Sequence, residues 1–225
     1  MLSVVIPTLD AAATLAETLR ALRSDLAGND HEVVVADGGS ADRTQAIAQA
    51  NGAETLRIQR GRGQQLAAGA RAASGEWLLF LHADTRLGAG WLAEAERFMA
   101  DDANQARAGV FRLSFDDGAR AARRLEAIAA WRAKALGLPY GDQGLLISRS
   151  FYDALGGYGP LALMEDVDLA RRIGRRRFHH FEAAALTSAT RYRRAGYVWR
   201  SARNLSCLAL YFLGVDARFL VRLYG

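Results

Sequence analysis

Glu76-Trp77-Leu78-Leu79-Phe80-Leu81-His82-Ala83-Asp84-Thr85 begins as an apolar run of strand length and ends in a polar tip. An uninterrupted apolar run reads as a strand covered on both faces, as in a parallel sheet flanked by helices. In such sheets ligands bind beyond the carboxyl ends of the strands. The first polar groups met there are His82 and Asp84. A carboxylate on the end of a buried strand is well placed to hold a hard divalent cation, and through it a diphosphate.

Upstream of this run the pattern alternates. Leu2 to Pro7 is a short apolar strand stopped by proline. Thr14 and Glu17 have the spacing of a capping box, and Leu15, Leu19 and Leu22 share one helical face. His31 to Ala36 is a second strand, which delivers Asp37-Gly38-Gly39-Ser40 at its tip. Asp42 caps a helix to about Gln49, Glu54 to Gln59 is a third strand, and Arg60-Gly61-Arg62-Gly63 opens a helix to Ala73. Gly88 to Ala100 is a further helix. The order β-α-β-α-β-α-β-α predicts a mostly parallel, doubly covered α/β sheet. Downstream, Ala108 to Phe115 and Phe178 to Thr190 read as strands, with the short strand Leu145 to Ile147 between them. Ala119 to Leu136, Arg149 to Leu155 and Glu165 to Ile173 read as helices, and Val198 to Tyr224 as one or two apolar helices flanked by arginine.

A chain of 225 residues, 51% hydrophobic, can bury one substantial core. The expected division is a main domain over 1–190, with basic, apolar helices over 191–225 packed on it or at an interface. A single cysteine, Cys207, excludes a disulfide framework and a multi-cysteine zinc site. The start lacks a basic segment and cleavage site, and the longest apolar run near the end, Leu205 to Val215, is short of the roughly 20 residues that cross a bilayer. A cytoplasmic location is expected, with the basic C-terminal helices able to rest on the inner face of a membrane or to form a homodimer. The formal charge is +5, and residues 191–225 alone carry seven arginines against Asp216. The run Arg171-Arg172-Ile173-Gly174-Arg175-Arg176-Arg177 reads as a solvated helix end, since no helix-turn-helix, zinc or RNP pattern supports nucleic-acid binding.

Several residues have both a chemical and a bland reading. Asp37 can accept a hydrogen bond from a base N–H or serve a turn. Asp84 reads as a metal ligand or a capping group. A lone histidine gives no ligand spacing, so His82 reads as an ordinary strand-end residue. Arg62 can clamp phosphate or belong to a solvated turn. Asp142 and Gln143, between Gly141 and Gly144, can line a pocket with an acceptor and an amide, or form a polar turn. Glu165, Asp166 and Asp168 crowd a helix start, more acid than the helix dipole needs. Asp168 lies about 200° round from Asp166, so one of the first two acids is expected to point out of the helix mouth as a general base.

Taken in order, these segments resemble the family 2 glycosyltransferases of GT-A fold. The pieces are Val4-Val5-Ile6-Pro7-Thr8-Leu9-Asp10, Val34 to Thr44, Gly69 to Thr85, and Glu165-Asp166-Val167-Asp168-Leu169. Phe80 to Thr85 and Gly141-Asp142-Gln143-Gly144 are also similar to small bacterial transferases associated with radical-SAM and selenium-related domains, of arsenosugar type. The resemblance implies a metal-dependent inverting transferase. Asp37 would bind the nucleotide base, with Pro7, Thr8, Leu9, Asp10, Gly38, Arg62, His82 and Ala83 also on the donor side. Asp84 would ligate Mg²⁺ or Mn²⁺, Asp166 would be the base that deprotonates the acceptor hydroxyl with Glu165 also catalytic, and Asp142 and Gln143 would border the acceptor or donor sugar. The implied donor is a nucleotide-sugar, foremost a UDP-sugar, and the acceptor a small or lipid-linked molecule. His82 stands where the family's D-x-D has its first acid, Asp10 stands where the family often has Asn or Glu in a related position, and the Q-x-x-R-W of processive synthases is absent, which implies transfer of a single sugar. Two rivals are a nucleotidyltransferase, which would want a lysine loop near the N-terminus, and a non-catalytic nucleotide-sugar-binding module.

Overall fold

The computed structural model describes residues 1–224. Strands β1 (Leu2–Thr8), β2 (His31–Asp37), β3 (Glu54–Arg57) and β4 (Trp77–Phe80) alternate with helices α1 (Leu15–Asp25), α2 (Thr44–Ala50) and α3 (Arg62–Ala72). There follow β5 (Thr85–Leu87), α4 (Trp91–Ala100), β6 (Ala108–Phe115), α5 (Arg120–Trp131), β7 (Leu145–Ser148), α6 (Arg149–Ala154) and α7 (Glu165–Ile173). The chain continues through β8 (Phe178–Thr187), α8 (Thr190–Ala195), α9 (Tyr197–Phe212) and α10 (Ala217–Tyr224). The sheet has eight strands in the order β3-β2-β1-β4-β7-β6-β8-β5. The first four are parallel, and β7 then runs antiparallel between β4 and β6. The pair β6–β8 is parallel and β5–β8 antiparallel.

Strand β4, most of β1 and the second half of β2 are apolar because both faces are covered. Val4, Ile6, Val35 and Leu79 pack under α1 and α4, whereas Val5, Val34, Leu78 and Phe80 pack under α3, α6 and α7. Helix α3 comes very close to β1: a Cβ on Gly69 would lie 2.4 Å from Val5 Cγ1. The chain runs from β1 to β2 and β3 on one side and returns to place β4 on the other side of β1. That reversal is a topological switch point, where the carboxyl ends of adjacent strands leave a crevice. Thr8 of β1 and the His82–Asp84 segment after β4 both stand there.

Three local expectations change. Thr14 makes no capping bond to α1, and Glu17 pairs with Arg86 of β5 instead of closing a capping box. Asp42 does accept the Thr44 N–H at 2.9 Å, but α2 begins two residues later. Strand β5 itself is only three residues long, held by antiparallel pairing to β8, which no periodicity could reveal. Helix α5 is regular only to Trp131, then widens into a π-type turn over 132–136. Gly137, at φ 65°, ends it, and a Cβ there would lie 2.6 Å from Arg175 Cα.

Candidate active site

The carboxyl end of the sheet opens into a cavity of about 100 Å³. His82 and Asp84 enter it from the β4–β5 connection, Arg62 from the start of α3, and Asp142 from the loop before β7. Asp166 enters from the first turn of α7, and Arg191 and Arg200 from α8 and α9. Asp84 and Asp166 are thus brought from 82 residues apart in sequence to one chamber. The main-chain N–H of Gly141 donates to Asp166 Oδ2 at 2.8 Å, and that of Val167 donates to Oδ1 at 2.8 Å. These two bonds hold the carboxylate facing the cavity. A Cβ on Gly141 would sit 2.7 Å from His82 Nε2, so only glycine leaves the imidazole room at that point.

The charges are arranged in opposition. Burial raises the Asp84 carboxyl above the usual range, with Arg191 the largest opposing influence. Burial also pushes Asp142 up to about 6, against the pull of Arg132 and with the help of Asp166 and Asp84. Asp142 Oδ1 is buried without a hydrogen-bond partner. Burial drives His82 down to about 3, and Arg62 and Arg191 add to the effect, so the ring is neutral at neutral pH.

Glu165 does not face the cavity. It is 1% exposed, lies 3.4 Å from the Arg62 guanidinium, and is raised by burial above the normal carboxylate range. Of the two acids, Asp166 alone lines the chamber, while Glu165 anchors Arg62 from below. Asp168 is committed to Arg172 one turn on. Gln143 also points away: its amide donates to Phe111 O at 3.1 Å and its residue is buried, because the turn needs it to tie β6 to the loop. Of the glycine-flanked pair, only Asp142 lines the cavity.

The expected base-binding residues form a separate group at the tips of β1 and β2. Asp37 is buried and accepts from Thr8 Oγ1, Gln45 Nε2 and the N–H groups of Gly39 and Ser40, and from the Ser40 hydroxyl. A base N–H would have to replace one of these donors. Asp10, at a left-handed φ of 48°, accepts from Ala41 N–H at 2.8 Å and so latches the two loops together. Pro7 and Thr8 end β1, Leu9 is exposed, and Gly38 packs against the Gln65 side chain. Gln65, unremarked in the sequence, donates to Thr8 O and Ala36 O at 2.7 and 2.8 Å and closes the floor between these strands. Ala83 is buried, its carbonyl accepting from Thr18 Oγ1. Arg191 and Arg200 are the other residues not expected; the only sequence signal was an arginine-rich segment after the last strand.

Residues 3–164 match the sequence model of glycosyl transferase family 2. The chain belongs to this family. This family 2 glycosyltransferase is 42% identical over 94 residues to a PGL/p-HBAD biosynthesis glycosyltransferase of Mycobacterium tuberculosis, a stretch covering 39% of this chain and 36% of the relative. The match therefore spans about a third of the length of the curated relatives. A mannosyltransferase from Pyrobaculum calidifontis, solved with GDP-Man and Mn²⁺, superposes with a TM-score of 0.65 at 20% identity over 92% of this chain and 60% of its own. Glucosyl-3-phosphoglycerate synthase from M. tuberculosis, solved with Mn²⁺, UDP and its product, gives 0.54 at 21% identity over 84% and 70%. The fold is that of GT-A glycosyltransferases.

Among the described residues no three His, Cys, Asp or Glu side chains converge into a cation cage. Mg²⁺ and similar hard ions do not need one, being held by one or two carboxylates together with substrate phosphates. Asp84, with the orphaned oxygen of Asp142 in the same chamber, supplies that donor set. The residues of this chamber fit such an ion.

Proposed function

We propose that the protein transfers a single sugar, with inversion, from a nucleotide-sugar to an acceptor hydroxyl, and that Asp166 is the general base. The observation that carries this reading is that Asp84 and Asp166 line one chamber with Arg62 and Arg191 beside them. The two N–H bonds leave lone pairs of the Asp166 carboxylate free for an incoming hydroxyl. The acceptor oxygen attacks the anomeric carbon, the bond from that carbon to the phosphate oxygen breaks, and the hydroxyl proton passes to Asp166. Attack from the face opposite the diphosphate inverts the centre.

Asp84, with Asp142 lining the same chamber, would hold a divalent ion, Mg²⁺ or Mn²⁺, which when bound would supply positive charge against the diphosphate. Arg62 and Arg191 add fixed positive charge on the same side. The neutral His82 cannot supply the charge of an acid in this position, but it can exchange hydrogen bonds with a donor hydroxyl. A nucleotide base would lie at the tips of β1 and β2, over Pro7, Thr8 and Leu9 and against Asp37. Solved neighbours bearing UDP or GDP-Man support a nucleoside-diphosphate donor, of which a UDP-sugar is the first to try. The acceptor is small or lipid-linked.

Mass-spectrometric donor turnover with a panel of UDP- and GDP-sugars and Mn²⁺ tests the reading. Asp166→Asn should lower turnover by about 10²–10⁴-fold while nucleoside-diphosphate binding survives. Binding with no turnover by the unaltered protein on any acceptor would instead favour a nucleotide-sugar-binding module.

A further inference from the structure

Helix α9 buries Cys207 and Leu208 but leaves a second apolar face uncovered. Its inward face places Arg200, 8% exposed, and Asn204 on the wall of the active-site cavity. Its outward face presents Val198 (84% exposed), Trp199 (69%), Leu205 (65%) and Phe212 (48%), with Leu213 (80%) just beyond its end. The other outward positions are Ala and Ser, so no charge interrupts this face over four turns. Scattered exposed hydrophobics need no explanation, but a contiguous stripe of this size marks a contact surface.

Both ends of the stripe are bordered by arginine. The Arg171 guanidinium lies 5.2 Å over the Phe212 ring, and exposed Arg175, Arg176 and Arg177 follow in the next turn. At the other end Arg194 of α8 is exposed, while Arg193 is paired with Asp116 and Asp117. Arg171 thus stands beside an apolar face, although the transfer reaction makes no use of it.

We infer that the outer face of α9 docks on an anionic lipid bilayer. No helix among the described residues is long and apolar enough to cross a membrane, so the helix would lie along the surface. Its apolar stripe would enter the acyl boundary and the flanking arginines would meet acidic headgroups. A second copy of the chain suits the face less well. A twofold contact sets a patch against itself, and would bring identical arginine clusters together. Arg171 and Arg194 of the two copies are the cations such a contact would crowd. Docking stands independently of the transfer reading; that an acceptor could reach the cavity from the lipid side, past the inner face of the same helix, rests on it.

Flotation of the full chain with vesicles tests the docking. It should rise with vesicles holding about one third phosphatidylglycerol in phosphatidylcholine, roughly tenfold more than with neutral ones, and fall away in high salt. The double variant Trp199→Glu/Leu205→Glu should stay in the dense fraction. Arg171→Glu/Arg194→Glu should weaken binding to the acidic vesicles only. Both variants should keep the thermal transition and the stabilisation by UDP and Mn²⁺, which separates loss of docking from loss of the donor site. Failure of the unaltered chain to float, or equal flotation of Trp199→Glu/Leu205→Glu, would overturn the inference. So would a sedimentation dimer that this variant converts to a monomer, which would assign the face to a second copy.

Discussion

Glu32 shows how a single carboxylate reports on the fold. It accepts from Ser3 Oγ and from the N–H groups of Ser74 and Gly75, tying β1 and β2 to the turn before β4. Burial works to raise its pKa, but the hydrogen bonds from Ser3, Ser74 and Gly75 prevail and it lies below 4.5. A depressed folded value means the stabilisation is present above the unfolded pKa and is lost as pH falls through the folded one. Glu32→Gln should therefore cost about 1 kcal/mol at pH 7, with the gap to the parent closing below about pH 4 in urea titrations. Gly141 is legible in the sequence only as a loop glycine. The structure makes it the contact between His82 and Asp166. Gly141→Ala should force the imidazole aside and lower kcat by about 10–100-fold with circular dichroism unchanged. At this scale the sequence marked Asp84, Asp142 and Asp166 as candidates. Spacing alone did not separate Glu165 from Asp166, which only the family resemblance singled out as the base, because adjacent residues at a helix start differ by rotation alone; the packing of α7 against α3 turns Glu165 onto Arg62.

Elements were read well where burial is two-sided. The apolar runs of β1, β2 and β4 and the 3.6-residue stripe of α1 are dictated locally. Contacts between elements were not. The approach of α3 to β1 depends on Gly69, and Gly69→Ala should destabilise the protein by about 1–3 kcal/mol, measured as a shift of the denaturation midpoint without change of slope. Strand β5 escaped because three residues carry no period, and Glu17 lost its capping role because Arg86 arrived from that strand. The same blindness covered α8 and α9. Their amphipathic pattern says that one side is buried, but not that Arg191 and Arg200 look into the chamber while Trp199 looks out.

At the scale of the whole molecule, opposed titrations should set the pH of greatest stability. Asp142 is raised to about 6 from 3.8, mainly by burial, and Glu165 is raised for the same first reason. Acids so raised favour the folded state fully below their unfolded pKa, and that contribution is lost as pH rises through the folded value. Glu32 and Asp37, held low by their hydrogen bonds, act in the opposite sense at the acid end. The metal-free protein should thus be most stable between about pH 4 and 6 in thermal melts. Mn²⁺ with UDP should displace the optimum toward neutrality, since cation binding needs the ionised carboxylates. At a hundredfold excess over Kd the pair should add about 2.7 kcal/mol, and chelation should remove it.

The alternation of apolar strands with amphipathic helices, and the ordered acids at their ends, determined the doubly covered sheet and the family, because both are written in local periodicity and in spacing along the chain. Which of those acids share a chamber, which oxygen of Asp142 lacks a partner, and which side of α9 meets solvent were decided by the packing of segments distant along the chain. Such contacts depend on helix rotation and strand register in three dimensions, and no one-dimensional pattern carries that information.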